Sequence, residues 1–179
     1  MTLMGAGLGT LALTANPRLR RTNIGLRHVV LGLASAAVLY LIFRAGDRFA
    51  RRFVPGGGTQ IADIYALRTL EGRATTAARL ATVIGPAEEL FWRGLVQEAL
   101  MDRYGRWTGA ALASLLYSGA HVSSRNFTLV GAAGVAGAFW SAMYAAGAPM
   151  GALIVSHAAW DIWIFLIAPT EPAEPSIAG

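Results

Sequence analysis

Glu88, Glu89, Arg93, Glu98, His121, His157 and Asp161 are ionisable side chains set inside otherwise apolar stretches of a 179-residue sequence. Glu89 and Arg93 are four residues apart, so on a helix they share a face and can pair, a structural role. Glu88 is rotated by roughly 100° from Glu89 at about 3.6 residues per turn and has no partner on its own helix. It is either paired with an arginine of another helix or free for general base or acid work. Glu98 lies near the end of its apolar stretch and reads as solvated. His121 follows Tyr117 by four, and His157 precedes Asp161 by four, so each pair shares a helix face. A lone histidine in an apolar helix often only packs and hydrogen-bonds. Two of the three histidines together with a carboxylate suggest a site. His28, beside Arg27 at the edge of an apolar stretch, does not.

These residue types permit a definite chemistry. A carboxylate and a histidine together hold and deprotonate a water. A second histidine with Asp161 can donate hydrogen bonds to the oxyanion that forms when water attacks an amide carbonyl. Asp161 must be protonated to donate; otherwise it orients His157. Such an amide hydrolase needs no cysteine or serine nucleophile, and the chain has no cysteine. Glu88, His121 and His157 could instead bind zinc with one position open for water, although the HExxH motif is absent. A b-type haem held by His121 and His157 is a further reading; it leaves Glu88 without a role, and an absorbance spectrum tests it. A rhomboid-like serine site at Ser118-Gly119 with His157 is weaker, since Leu116 stands where glycine is expected.

The elements that must position these groups are membrane helices. Hydrophobic residues make up 55% of the chain and charged ones 14%, against about a quarter charged in a soluble domain. Mean hydropathy is +0.48. A hydrocarbon core takes roughly 20 helical residues to cross. Five stretches approach that, from about His28 to Phe43, Leu80 to Met101, Trp107 to Ser123, Phe127 to Ala146 and Met150 to Ala168. The expected fold is an all-α, polytopic transmembrane bundle of about five to six membrane helices. A charge near the bilayer centre costs roughly 2.5–3.5 kcal/mol on insertion scales, so the ionisable residues should face the bundle interior. If a turn over Asp102–Arg106 joins the second and third spans, Glu88 and His121 both lie roughly 20 Å from that membrane face. His157 and Asp161 come to roughly 10 and 17 Å. All four can then line one cavity.

Residues 1–14 are apolar but short, open to reading as a partial span, an interfacial helix or a signal h-region; with basic residues following and no small-residue cleavage site, a retained segment is favoured. Pro55-Gly56-Gly57-Gly58-Thr59 reads as a flexible break. Ile61, Ile64, Tyr65, Leu67 and Leu70, mixed with Asp63, Arg68, Glu71 and Arg73, read as an amphipathic helix at the interface. Residues 1–60 thus form an N-terminal part, 61–168 the core, and 169–179 a proline-rich disordered tail. Gly131, Gly134 and Gly137 read as close helix packing. All 15 basic residues are arginines, and net charge is +5. Arg18, Arg20, Arg21 and Arg27 precede the first span and Arg44, Arg48, Arg51 and Arg52 follow it, which suits membrane-flank anchoring and leaves orientation undecided. No aromatic residues interleave with them, so nucleic acid is not an expected partner.

At Glu88-Glu89-x-x-x-Arg93, Tyr117-x-x-x-His121 and His157-x-x-x-Asp161 the chain resembles the CAAX protease and bacteriocin-processing (CPBP, or Abi) family of intramembrane endopeptidases. That family carries EExxxR, FxxxH and HxxxN or HxxxD in this order on successive core helices. The resemblance covers about Leu80 to Ala168. It implies Glu88 as the glutamate that activates water, assisted by His121, with His157 and Asp161 as the oxyanion-stabilising pair and Glu89, Arg93 and Tyr117 in support. It implies a glutamic-type protease with metal dependence open: no cofactor is required, and zinc remains possible. The expected partners are the lipid bilayer and a membrane-embedded or lipid-associated protein or peptide substrate. Tyr117 replaces the commoner Phe. Asp161 stands where the eukaryotic prenyl-protein enzymes have Asn, which favours a prokaryotic processing protease of the inner membrane. A non-catalytic scaffold or immunity factor of the same family is the alternative.

Overall fold

The computed structural model describes residues 2–54, 56–66 and 72–168. Every element among them is helical. α1 runs over Thr2–Ala15 and is followed by a 3-10 turn, Pro17–Arg21. α2 is Leu26–Phe53 and α3 Gly57–Ala66. α4 is continuous over 73–104, with wider π turns at Leu80–Ile84 and Trp92–Gln97. α5 is Arg106–Ala120, α6 Phe127–Ala145 and α7 Met150–Ile167. Positions Leu67, Arg68, Leu70 and Glu71 of the expected amphipathic helix lie outside the described residues, as does the tail 169–179.

Among the described residues three helices, α2, α6 and α7, are long and apolar enough to cross a membrane. α4 carries Glu88, Glu89, Arg93 and Glu98 in its apolar half, and α5 has only 15 residues. The protein is an integral-membrane helical bundle. Its boundaries depart from the expected spans where caps decide them. The turn expected over Asp102–Arg106 narrows to Gly105, whose φ of +85° an L side chain rarely adopts. The third span ends at Ala120, with His121 as its cap. The glycine-rich break is short, because Gly56 turns at φ +70° and helix resumes at Gly57. His28 is a capping residue, its Nδ1 accepting from the Gly25 N–H at 3.0 Å at the start of α2.

α2 lies along α7, α5 along α6 and α1 along α4, while α4 also meets α5 and α7. Lipid gives helices little hydrophobic reason to associate, so small residues that permit close approach matter. A Cβ on Gly32 of α2 would stand 2.6 Å from the Val155 Cβ of α7. Gly9 of α1 faces Ala87 of α4 in the same way, at 3.2 Å. The glycines of α6 divide: Gly134 and Gly137 face Ser118 and Tyr117 of α5, whereas Gly131 faces open space. At the centre, Leu39, Trp140 and Leu153 are completely buried. α3 folds back onto α6, where Gln60 Oε1 accepts from the N–H and Oγ of Thr128 at 2.8 and 2.9 Å. Glu98, expected to be solvated, is half-buried and accepts from Asn16 Nδ2 at 2.8 Å, tying the end of α1 to α4.

Glycine to alanine inside a helix ordinarily stabilises it, because alanine is the better helix former. Gly7→Ala, which meets nothing within 4 Å, should leave the unfolding midpoint in detergent unchanged or slightly raised. Gly32→Ala should lower it, by overpacking worth about 1–3 kcal/mol. Parallel thermal unfolding of the two variants checks the α2–α7 contact.

Candidate active site

The sequence Gly85-Pro86 shapes the entry to the site. Proline lacks an N–H and its ring crowds the carbonyl four residues back. The π turn at Leu80–Ile84 absorbs this, with the Gly85 N–H bonding to the Leu80 carbonyl. At Gly85 α4 packs on α7: a Cβ there would stand 3.4 Å from the Ala158 nitrogen, an ordinary contact, and 3.0 Å from the Leu80 carbonyl of its own helix. From this start Glu88 and Glu89 point to different surroundings.

Glu89 is wholly buried, and its Oε1 receives two cation-type donors. Arg93 Nη1 donates at 2.9 Å, the pair expected from the i, i+4 spacing. His157 Nδ1 approaches at 2.7 Å. An ionised carboxylate only accepts, so this contact places a proton on Nδ1. Nε2 of His157 then points to Asp161 Oδ2 at 3.5 Å and Glu88 Oε2 at 4.0 Å. The second distance is a charge contact, too long for a hydrogen bond. Trp140 stacks on the imidazole, centroids 4.1 Å apart and planes 18° from parallel. Its indole N–H donates to Ser156 Oγ at 3.0 Å, and Ser156 in turn meets Ser35 Oγ at 2.9 Å.

Arg93 reaches beyond Glu89. Its Nη2 donates to the Gly137 carbonyl of α6 at 3.3 Å. One turn later Gln97 Nε2 donates to the Ser141 carbonyl at 2.9 Å. The π turn over Trp92–Gln97 carries both residues, so α4 grips α6 at two successive turns. The guanidinium lies over the rings of Tyr117 and Trp140, at 4.9 and 5.4 Å from their centroids. Gly137 makes room here, since a Cβ on it would stand 2.9 Å from Tyr117 Cδ1.

Glu88 is set apart by access: its side chain is 19% exposed and that of Glu89 is 0%. Tyr117 donates its hydroxyl to Glu88 Oε2 at 3.0 Å, and Trp92 packs edge-on against the Tyr117 ring. The structure therefore brings Glu88, Glu89, Arg93, Tyr117, His157 and Asp161 together. His121 stands one turn beyond Tyr117. Its Nδ1 bonds to the Tyr117 carbonyl at 2.9 Å, and the two rings are 5.0 Å apart. No hydrogen bond or ion pair joins it to Glu88 or His157 among the described residues. A carbonyl accepts, so Nδ1 of His121 is also the protonated nitrogen and Nε2 is the free one. Among the described residues no three His, Asp or Glu side chains are arranged to hold a metal ion, and this includes the zinc set Glu88, His121 and His157. Each histidine is held by its own partner, and nothing among the described residues pairs them as axial haem ligands.

Residues 71–163 match the family model described as type II CAAX prenyl endopeptidase Rce1-like. The chain belongs to that family. No curated protein and no solved structure matches it. As a member of the Rce1-like family it is an intramembrane protease whose substrate is a protein in or at the membrane. The matched residues start before α4 and end just past Asp161, so they contain all six side chains that the structure brings together, and His121. α1, α2 and α3 lie before them.

Three parts of the cluster escape sequence reasoning: the bond from Glu89 to His157, the stacking of Trp140, and the grip of Gln97 on α6. A tryptophan amid the glycines and alanines of α6 was the available signal for the second.

Removing one partner of a buried ion pair leaves the other charge uncompensated, at about 3–5 kcal/mol. Arg93→Met should therefore unfold far more readily than wild type in detergent. Glu88→Gln keeps an acceptor for Tyr117 and should unfold near the wild-type midpoint. Equal midpoints for Arg93→Met and wild type would count against Glu89 as a buried anion.

Proposed function

We infer that this protein hydrolyses a peptide bond with water activated by Glu88. The observation that carries the reading is the placement of one partly exposed carboxylate, Glu88, beside Nε2 of a buried histidine and the Asp161 carboxyl. Tyr117 fixes Oε2 of Glu88 and leaves Oε1 for a water. The water oxygen attacks the scissile carbonyl carbon while Glu88 takes one of its protons. Nε2 of His121 accepts a hydrogen bond from the other O–H of the water, which stays on the attacking oxygen, and so aims it. The carbonyl π electrons move onto oxygen. That oxyanion receives hydrogen bonds from the Nε2–H of His157, here an imidazolium protonated on both nitrogens with its Nδ1–H held by Glu89, and from a protonated Asp161. Collapse breaks the C–N bond, and Glu88 returns its proton to the departing nitrogen. Glu89 acts through His157 and Arg93 as a positioning residue.

In this reading the catalytic core spans residues 61–168, and the N-terminal helices support it. The substrate is a membrane-embedded or lipid-associated precursor, and the setting is a prokaryotic inner membrane. Asp161 in the HxxxD motif supports a processing protease over one for prenylated CAAX proteins.

The test compares wild type with Glu88→Gln, expressed at equal levels in the native host, by mass spectrometry of new N-termini in membrane and secreted proteins. Loss of the general base should slow cleavage by about 10²–10⁴-fold, so the products should be present with wild type alone. Tyr117→Phe should retain cleavage about tenfold slower, the worth of one hydrogen bond to a charged group. Identical N-termini with wild type and Glu88→Gln, both folded and abundant, would support the non-catalytic scaffold instead.

A further inference from the structure

Away from the catalytic cluster, α2, α3, α6 and α7 enclose a groove of about 460 Å³. This lies in the roughly 300–1,000 Å³ range of ligand-holding pockets. Its walls are apolar: Ile42 and Phe49 from α2, Ile61 from α3, Phe127 and Val135 from α6, and Ile164 from α7. Ile42, Phe49, Phe127 and Val135 are also exposed on the outer surface, so the groove opens sideways, to where lipid chains lie. It does not open inward. Trp160 forms its inner wall and packs edge-on against Trp140, which covers His157. The groove and the catalytic cluster are on opposite faces of that aromatic pair.

One end of the groove is polar in a specific sense. α2 has 28 residues, about 42 Å of helix at about 1.5 Å per residue. A hydrocarbon core is about 30 Å thick, so α2 overruns it. Its apolar run ends at Phe43, and Arg44, Arg48, Arg51 and Arg52 follow with a single acidic residue, Asp47. Arg51 neutralises Asp47 at 2.9 Å. Its Nη2 is buried without a hydrogen-bond partner among the described residues. Arg44, Arg48 and Arg52 are exposed. Gly46, Asp47, Ala50 and Val54 of this same segment line the groove. Arginines thus stand at headgroup height beside an apolar slot, whose α2 wall runs from Ile42 alongside them to Val54.

We propose that this groove is a binding site for an anionic glycerophospholipid, with an acyl chain between α2, α6 and α7 and the phosphate on the arginines of α2. Charge complementarity selects the headgroup, since a polybasic segment at the membrane surface attracts anionic lipid. The slot fixes the chain and with it the position of α3 against α6.

The test uses the full chain in a non-ionic detergent, supplied with phosphatidylglycerol or with phosphatidylcholine of the same acyl chains. Native mass spectrometry reads the lipid retained, and thermal unfolding reads the stabilisation. Wild type should retain one phosphatidylglycerol per chain, about tenfold more tightly than phosphatidylcholine. Arg48→Gln with Arg52→Gln should abolish that preference. Gly131→Leu fills the slot from α6, where a Cβ meets nothing within 4 Å, and should lose both lipids. Gly46→Leu fills it from α2, also into open space, and serves if the first variant fails to fold. Glu88→Gln should bind lipid as wild type does, which separates this site from the catalytic reading. Equal retention of the two lipids by wild type, undiminished retention by folded slot-filled variants, or a polypeptide held in place of lipid would overturn the proposal.

Discussion

A carboxylate sealed inside a membrane bundle must be compensated, and the packing of the core follows from how Glu89 is compensated. Both of its donors reach one oxygen, Oε1. One donor, Arg93, comes from its own helix. The other, His157, comes from α7. Arg93 then uses its second nitrogen on the Gly137 carbonyl of α6. A single buried charge therefore sets α4, α6 and α7 relative to one another. In an apolar medium no competing water weakens these bonds, and leaving any of them unmade is costly. One glycine is a consequence of this constraint. Gly137 must lack a Cβ for Tyr117 to fit beneath α6, where the Arg93 guanidinium lies over its ring.

The same constraint separates two adjacent glutamates by role. Glu89 spends its charge on structure and is inaccessible. Glu88, rotated by one residue, escapes that network and meets Tyr117, with its side chain still partly exposed. One helix turn thus carries a fixed anion that orients His157 and a freer anion that faces Nε2 of that histidine. Because Glu89 occupies Nδ1, the ring orientation of His157 is set from outside the pair it forms with Asp161. Asp161 is then free of the task of orienting the ring.

Much of this was legible in the sequence, for identifiable reasons. Ionisable residues in apolar stretches are costly, so Glu88, Glu89, Arg93, His157 and Asp161 stood out by type alone, and the i, i+4 rule paired Glu89 with Arg93 correctly. Apolar runs located α6 and α7 to within a few residues and the start of α2, whose helix continues ten residues past the expected end at Phe43, through the arginine segment to Phe53. What failed to show was whatever depends on contacts between helices. Glu89 bonding to His157 joins residues 68 positions apart. The π turns of α4 change which residues share a face, and a 3.6-residue period does not contain them. The end of α5 at Ala120 is set by a cap, so a hydropathy run extended it to Ser123 and placed His121 inside the helix. Glu98 was read as solvated because its partner, Asn16, lies on a segment far away in sequence.

The Trp140–Trp160 pair shows how one element serves two surroundings. Trp140 lays its face on His157 and anchors its N–H on Ser156, so its π surface and its dipole are both committed to the polar side. Trp160 meets it edge-on, centroids 5.7 Å apart, and turns its other side to the apolar groove and to Phe43 at 4.6 Å. Edge-to-face contact of this kind is favourable in itself and fixes both rings. A polar site in a membrane needs such a partition. Without a large, immobile apolar wall, lipid chains would reach the charged groups, or the charged groups would draw water into the hydrocarbon. Leu or Phe at 140 could fill part of the volume, but neither carries an N–H for Ser156. The link from Ser35 through Ser156 to Trp140 therefore ties α2, a helix outside the catalytic cluster, to the orientation of His157.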